Sequence, residues 1–361
     1  MSTKKYKIVK SESIVYKGRT LYRIKALKTF CVACTAISIV VKKGELGGFI
    51  ETENNLSQEG YCWIFNNAKV YDDARVSEDA KICGGAEIFD SAEVFGNAEI
   101  SGNTQIFYGA HVCGNAKVYG YAKVCGKARV YGEAKVYNFA KILDNAQVYD
   151  NAKIYENTIV AGDVQIYHNA QVYGNAWIYD DAFICDNARI YGLAKIFNKA
   201  IVYGNAKVYG NAQIFGKAKV YGNAEVYENA AIFDYAFIFG DAKVFSNAKI
   251  FGTTWLYCAA KIGDKLSLNK GKYIFATLNI DETLSEIEPI CYKISFAVRV
   301  IELKLPIEQG YIESLVSELA KYDELIDYFH SNECEIIFTP NENKIYKLLL
   351  QSKQNIENFY K

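Results

Sequence analysis

This sequence has no excess of either charge. Lysine plus arginine and aspartate plus glutamate number 41 each in 361 residues, with an isoelectric point near 6.8. Nucleic-acid binders are usually visibly basic, so nucleic acid is an unfavoured partner. No apolar run reaches the length of a membrane span. Met1-Ser-Thr-Lys-Lys is not followed by an apolar export segment, and the expectation is a soluble, cytoplasmic protein. Gly-x-Ser-x-Gly is missing, and the cysteines lack a histidine at a readable spacing, so nothing indicates a nucleophilic hydrolase. Gly44-Glu-Leu-Gly-Gly has no Gly-Lys-Ser/Thr ending and precedes no amphipathic helix; it reads as a backbone bend, not a phosphate loop. Proline occurs only at 289, 306 and 340, beyond a sharp change of composition at Asp264.

Ten cysteines are present. Cys31-Val-Ala-Cys34 has the spacing of half a zinc site, but no second pair or spaced histidines follow, and no metal is expected. Cys83, Cys113, Cys125 and Cys185 each take an outward aromatic position of the repeat described next. Cys113 and Cys185 share a wall four coils apart, far beyond disulfide reach at about 4.8 Å per coil.

What the chain does have is a six-residue phrase of the type Ala-Lys-Val-Tyr-Gly-Asn. It runs from Ala68 to Ile262 with no residue inserted or deleted. Every sixth residue from Ala68 to Ala260 is Ala, save Thr104, Thr158, Val164 and Thr254, and two places on the residue is Val, Ile or Leu256. Inward Ala and Val alternate with outward Lys and Tyr, the period of a half-buried strand and not of a helix. Gly or Asp, then Asn, closes each unit, and such residues suit a corner because they tolerate left-handed backbone. Three strands and three corners make an 18-residue coil, and about 11 coils at about 4.8 Å each give a stack of about 50 Å.

The pattern of an aliphatic residue followed four places later by a small one, as in Val70 to Ala74, Val118 to Ala122 and Val220 to Ala224, resembles the hexapeptide-repeat family. That resemblance implies a triangular, left-handed parallel β-helix; its members include acyltransferases and bare scaffolds. Gly44 to Glu51, with Asn55-Leu56-Ser57, is similar to the lead-in of uncharacterised bacterial and phage members. The expected layout is mainly β. Residues 1–61 form an N-terminal β cap with a hairpin turning near Lys17-Gly18 and a strand at 36–41. Residues 62–264 form the β-helix, and 265–361 a small α+β domain with a strand at 272–278 and helices at 307–330 and 341–360.

Residues 18 apart should stack, which sorts the outward positions into walls. One wall sets Lys117, Lys135, Lys153, Arg189 and Lys207 beside Tyr119, Tyr137, Tyr155, Tyr173 and Tyr191, a surface able to attract an anionic polymer. A second carries Phe183, Ile201, Phe237 and Trp255 beside Tyr203, Tyr221, Phe239 and Tyr257, where Lys is the rule; bulky apolar groups there mark an assembly face. The third wall is mixed, with Ile159 and Trp177 near Tyr179. The resemblance implies that an enzyme of this fold would use a histidine between subunits, making His111 and His168 the weak candidates; no insertion loop shapes a pocket around either. The leading expectation is a non-catalytic scaffold that binds protein or itself, as a homo-oligomer, without a cofactor. Alternatives are a trimeric acyl- or acetyltransferase using acyl-CoA, and a binder of an anionic polymer.

Overall fold

A computed structural model describes residues 4–32, 39–258, 260–263 and 265–275, excepting the side chains of 257, 258 and 271–275. The expected helices at 307–330 and 341–360 and most of the α+β domain lie outside the described residues. Those described form a parallel β-solenoid, mainly β, whose single helical turn is the 3-10 segment Glu53–Asn55. The chain divides into two compact units, Met1–Ala218 and Lys219–Lys361.

In the first unit, two-residue strands recur every six residues and pair in parallel with the strand 18 residues on: Glu99 with Lys117, Lys117 with Lys135, Lys135 with Lys153. The inward Ala and Val or Ile side chains are fully buried throughout. Thr104 and Thr158, which replace inward Ala, remain buried because each hydroxyl donates to the carbonyl three residues earlier, at 2.7 Å, so no polar group is left unpaired.

Every sixth residue from Gly60 to Gly252 has a positive φ. The left-handed residue is thus the first of the two at each corner, and Asp, Glu, His and Tyr share this position with Gly. An acid here has a use of its own. The Asp150 carboxylate accepts from the backbone N–H of His168, 18 residues on, at 3.2 Å, and Asp144 does the same for Gly162 at 3.0 Å. The following Asn residues stack as amide ladders, Asn151 to Asn169 to Asn187 to Asn205 at 3.2 to 3.3 Å, satisfying side chains that would otherwise compete with the backbone.

The coil stack begins earlier than the expected boundary at 62. The hairpin is as expected: β1 (Tyr6–Tyr16) and β2 (Arg19–Ala26) pair antiparallel around Lys17 and Gly18, both at positive φ. A short pair, β3 (Phe30–Val32) and β4 (Ile39–Val41), follows. β5 (Leu46–Ile50) then pairs antiparallel with β2 and in parallel with the repeat, Phe49 opposite Lys69 and Ile50 opposite Val70. Leu56 bridges Val76. The residues expected to be a lead-in therefore form a first coil, with a 20-residue offset that hides it from a search at period six. Its irregular corner is held by buried Asn55, whose amide donates to Asp72 and Ala74 carbonyls and whose oxygen accepts from the Thr52 N–H. Gly44 makes the expected bend, at φ +91°. Gly47 and Gly48 serve otherwise: a Cβ on Gly47 would come within 2.6 Å of Ile24 and of the Ile64 carbonyl.

The hairpin is fastened to the first coils by a polar cluster. Glu87 accepts from Tyr16 at 2.6 Å, Lys17 at 2.8 Å and Tyr71 at 3.1 Å. Burial works against its ionisation, yet these donors outweigh burial and keep the carboxyl below its ordinary value. Beside them Leu21, Phe49 and Tyr71 are buried together.

In the second unit the same pairing continues, Lys219 with Phe237 and Glu225 with Lys243. The hexad then gives way to two long strands, Lys249–Cys258 and Ser267–Phe275, paired in parallel. Coil pairing thus crosses the expected boundary at 264, and the strand expected at 272–278 begins at Ser267.

Candidate functional site

Because each two-residue strand repeats at 18-residue spacing, outward side chains form vertical ladders, and each wall carries an aromatic one. Tyr119, Tyr137, Tyr155, Tyr173 and Tyr191 stack face to face, ring centres 4.8 to 5.0 Å apart and planes within 6°. Such stacking adds to strand pairing and presents a flat, rigid surface. Burial by its neighbours, with Tyr137 and Tyr173 on either side, pushes the Tyr155 phenol up to about 12.

Beside this ladder the basic column is partly neutralised. Glu99 sits between Lys117 and Lys81, at 2.9 and 3.2 Å. Burial opposes its ionisation, but the two lysines prevail and hold the carboxyl below its ordinary value. Further along, Lys135 and Lys153 are directly opposed in register, a like-charge pairing. Arg189 is exposed, and Lys207 is half-buried with a partner of its own.

On the expected assembly face, Phe183 pairs with Ile201 in the first unit and both are half-buried, as is Tyr203. In the second unit Phe237 pairs with Trp255, rings 5.0 Å apart, and Tyr221 stacks on Phe239 at 4.9 Å. Trp255 is exposed at 38%. The side chain of Tyr257 lies outside the described residues.

A more exposed apolar surface lies elsewhere in the first unit. Tyr121 and Phe139 stack at 5.2 Å where the corner normally carries Asn, and are exposed at 54% and 55%. On the same corner column Leu193 is exposed at 54%, and on the adjoining wall Trp177, opposite Ile159, at 48%. The mixed third wall thus adjoins an apolar ridge that Asn157 and Asn175 interrupt between Phe139 and Leu193. Its signal was in the repeat: Tyr121, Phe139 and Leu193 replace the usual Asn at one corner, but corner positions invite reading as turn chemistry alone.

The two histidines differ. His111 is an outward strand residue 3.8 Å from Glu93. His168 occupies a left-handed corner at φ +54°, its Nδ1 2.9 Å from the Asp186 carboxylate and its ring edge-on to Tyr167. Nothing brings His111 and His168 together. Among the described residues no group of three or more His, Cys, Asp or Glu is placed to hold a metal ion, and no helix is long and apolar enough to cross a membrane.

No family model and no curated protein matches the chain. The solved structures similar to it include two UDP-N-acetylglucosamine acyltransferases. That of Francisella novicida is 16% identical, spanning 66% of this chain and 98% of its own with a TM-score of 0.33. That of Arabidopsis is 15% identical, spanning 74% of this chain and 95% of its own with a TM-score of 0.38. At such identities the likeness concerns the solenoid fold alone.

Proposed function

We propose that this protein is a rigid β-solenoid scaffold that works by binding, presenting flat ladder surfaces for protein–protein assembly. The observation that carries the reading is the stacked pair Tyr121 and Phe139 at one corner, with Trp177 on the adjoining wall, each a large apolar group at about half exposure. Large apolar groups exposed side by side ordinarily mark a contact, and stacked rings already ordered lose little freedom on binding. The Phe183–Ile201 and Phe237–Trp255 pairs are the second candidate contact. The likeness of the Gly44 to Glu51 lead-in to bacterial and phage hexapeptide-repeat proteins supports, in this reading, a kinship with them.

The test is solution mass by light scattering across a concentration series, for the natural chain and for Phe139→Lys/Trp177→Lys. A self-associating chain whose mass falls to that of one copy in the variant supports the ridge as a homo-oligomer contact. Equal masses at every concentration for both would refute self-association through it. One observation favours a second reading, a trimeric acyltransferase using acyl-CoA: the Asp186 carboxylate orients the His168 imidazole as a general base would need. That reading predicts heat of binding with acetyl-CoA in calorimetry and loss of turnover in His168→Ala. Absence of that heat from a correctly folded sample would end it.

A further inference from the structure

Cys62 stands at an inward site that the repeat otherwise fills with Ala, Thr or Val, whereas Cys83, Cys113, Cys125 and Cys185 take outward aromatic positions. Its thiol is fully buried, and its nearest partner is the ammonium of Lys5, with Nζ 3.2 Å from Sγ. Lys5 is fully buried as well. Its Nζ donates to three carbonyls, Cys62 at 3.0 Å, Glu59 at 3.2 Å and Gly60 at 3.3 Å. No carboxylate reaches it by an ion pair among the described residues. The sulfur's other partners, the carbonyls of Ser57, Glu59 and Val76, lie at 3.7 to 3.8 Å, so Lys5 is its closest contact. Capping the carbonyls of the first coil explains the ammonium but gives no reason for sulfur beneath it, since Ala occupies the equivalent site in later coils.

We propose that Lys5 and Cys62 form a reversible covalent redox link, an oxygen-bridged Nζ–O–Sγ bond made with dioxygen. One dioxygen accepts four electrons, two from sulfur and two from nitrogen. One oxygen atom stays between Nζ and Sγ. Lys5 first releases its extra proton to solvent, and the other oxygen then leaves as water with the thiol proton and one amine proton. Four equivalents of a thiol donor return the link to thiol and amine, the bridging oxygen leaving as water and the donor ending as two disulfides. Burial favours the uncharged partners that the step consumes: it lowers the Lys5 ammonium and raises the Cys62 thiol. An oxygen bridge keeps the two atoms near their present separation, whereas a direct S–N bond would require them to close to single-bond distance. The link would join the N-terminal segment to the coil end that it covers, where Tyr6 also donates to the Leu56 carbonyl at 2.6 Å.

The test is intact mass and peptide mapping of the full chain after incubation in air-saturated buffer, with and without a thiol reductant. The expected result is a gain of one oxygen and loss of two hydrogens, about 14 Da, mapped to a linked peptide pair containing Lys5 and Cys62. It should disappear on reduction and be absent from Cys62→Ser. A loss of two hydrogens alone would show an S–N bond and overturn the bridge. So would recovery of Cys62 as free thiol, sulfinic or sulfonic acid with the Lys5 amine still open to acylation in the unfolded chain. A 14 Da gain mapping to another lysine and cysteine would equally refute this pair. The natural chain alone decides these outcomes, so a variant that fails to fold costs nothing.

Discussion

The corner rule can be tested at Gly132. This residue has φ +68°, and the residues stacked above it, Asp150 and His168, both have φ +54°. Across the solenoid, non-glycine corners keep to 54–60° while glycine corners spread from 62° to 88°. A Cβ added to Gly132 as it stands would meet the Asp150 nitrogen at 2.8 Å and its Cα at 3.0 Å. Gly132→Ala must therefore rotate toward the narrower range and push the next coil slightly. Left-handed backbone costs an alanine about 1–2 kcal/mol. The stiffer unfolded chain returns about 0.4–1 kcal/mol, leaving a net loss of about 1 kcal/mol. Gly132→Asn differs, because Asn tolerates this backbone and its oxygen can accept from the Asp150 N–H, as Asn198 does for Gly216. An exposed hydrogen bond of about 0.5–1 kcal/mol makes that change nearly neutral. Thermal melts by circular dichroism should place the Ala variant about 2–4 °C below the Asn variant. Since solenoids can open a few coils at a time, hydrogen exchange of amides 130–170 should show the same order locally. Equal stability of the two variants, or a more stable Ala variant, would refute the claim that corner side chains act through the next coil's N–H.

Ile154→Ala, at a fully buried inward site, should cost about 2–5 kcal/mol in denaturant titration, while Lys153→Ala beside it stays within about 0.5 kcal/mol. Glu99 ionises below its ordinary 4.5, so its contribution is complete above that value and is lost as pH falls through the folded-state value. Glu99→Gln should therefore be less stable at pH 7 and lose less stability on acidification, a comparison that urea midpoints at pH 7 and pH 3 decide. Tyr155 has the opposite sign. Its phenol is raised to about 12, so the stability linked to it is present below the unfolded value near 10 and lost between there and 12. Ultraviolet titration should show one fewer late-ionising phenol in Tyr155→Phe.

The period was legible because an uninterrupted hexad leaves one register, in which Ala and Val face inward and Lys and Tyr outward. Where the hexad is broken, reading failed. The stretch from Phe49 to Leu56 is offset by 20 residues and held by the side chain of Asn55, a contact between residues that no spacing announces. The corner residues were recognisable as turn formers. That the left-handed one is the first of each pair, and that its acid caps the next coil, required knowing which N–H lies above which carboxylate. The apolar ridge was half legible: Ile159 and Trp177 stand where the repeat usually has Lys, while Tyr121, Phe139 and Leu193 occupy corner positions, whose exposure no period reveals.

By itself the sequence determined which residues face inward, that strands stack 18 residues apart, and where the hairpin turns, because those follow from periodicity and local backbone preference. Only the tertiary structure decided what the ladders expose, that Glu99 pairs with two lysines, and that Lys5 lies on Cys62. Those depend on distances between residues far apart in the chain, set by how the coil end is closed and not by any repeating pattern.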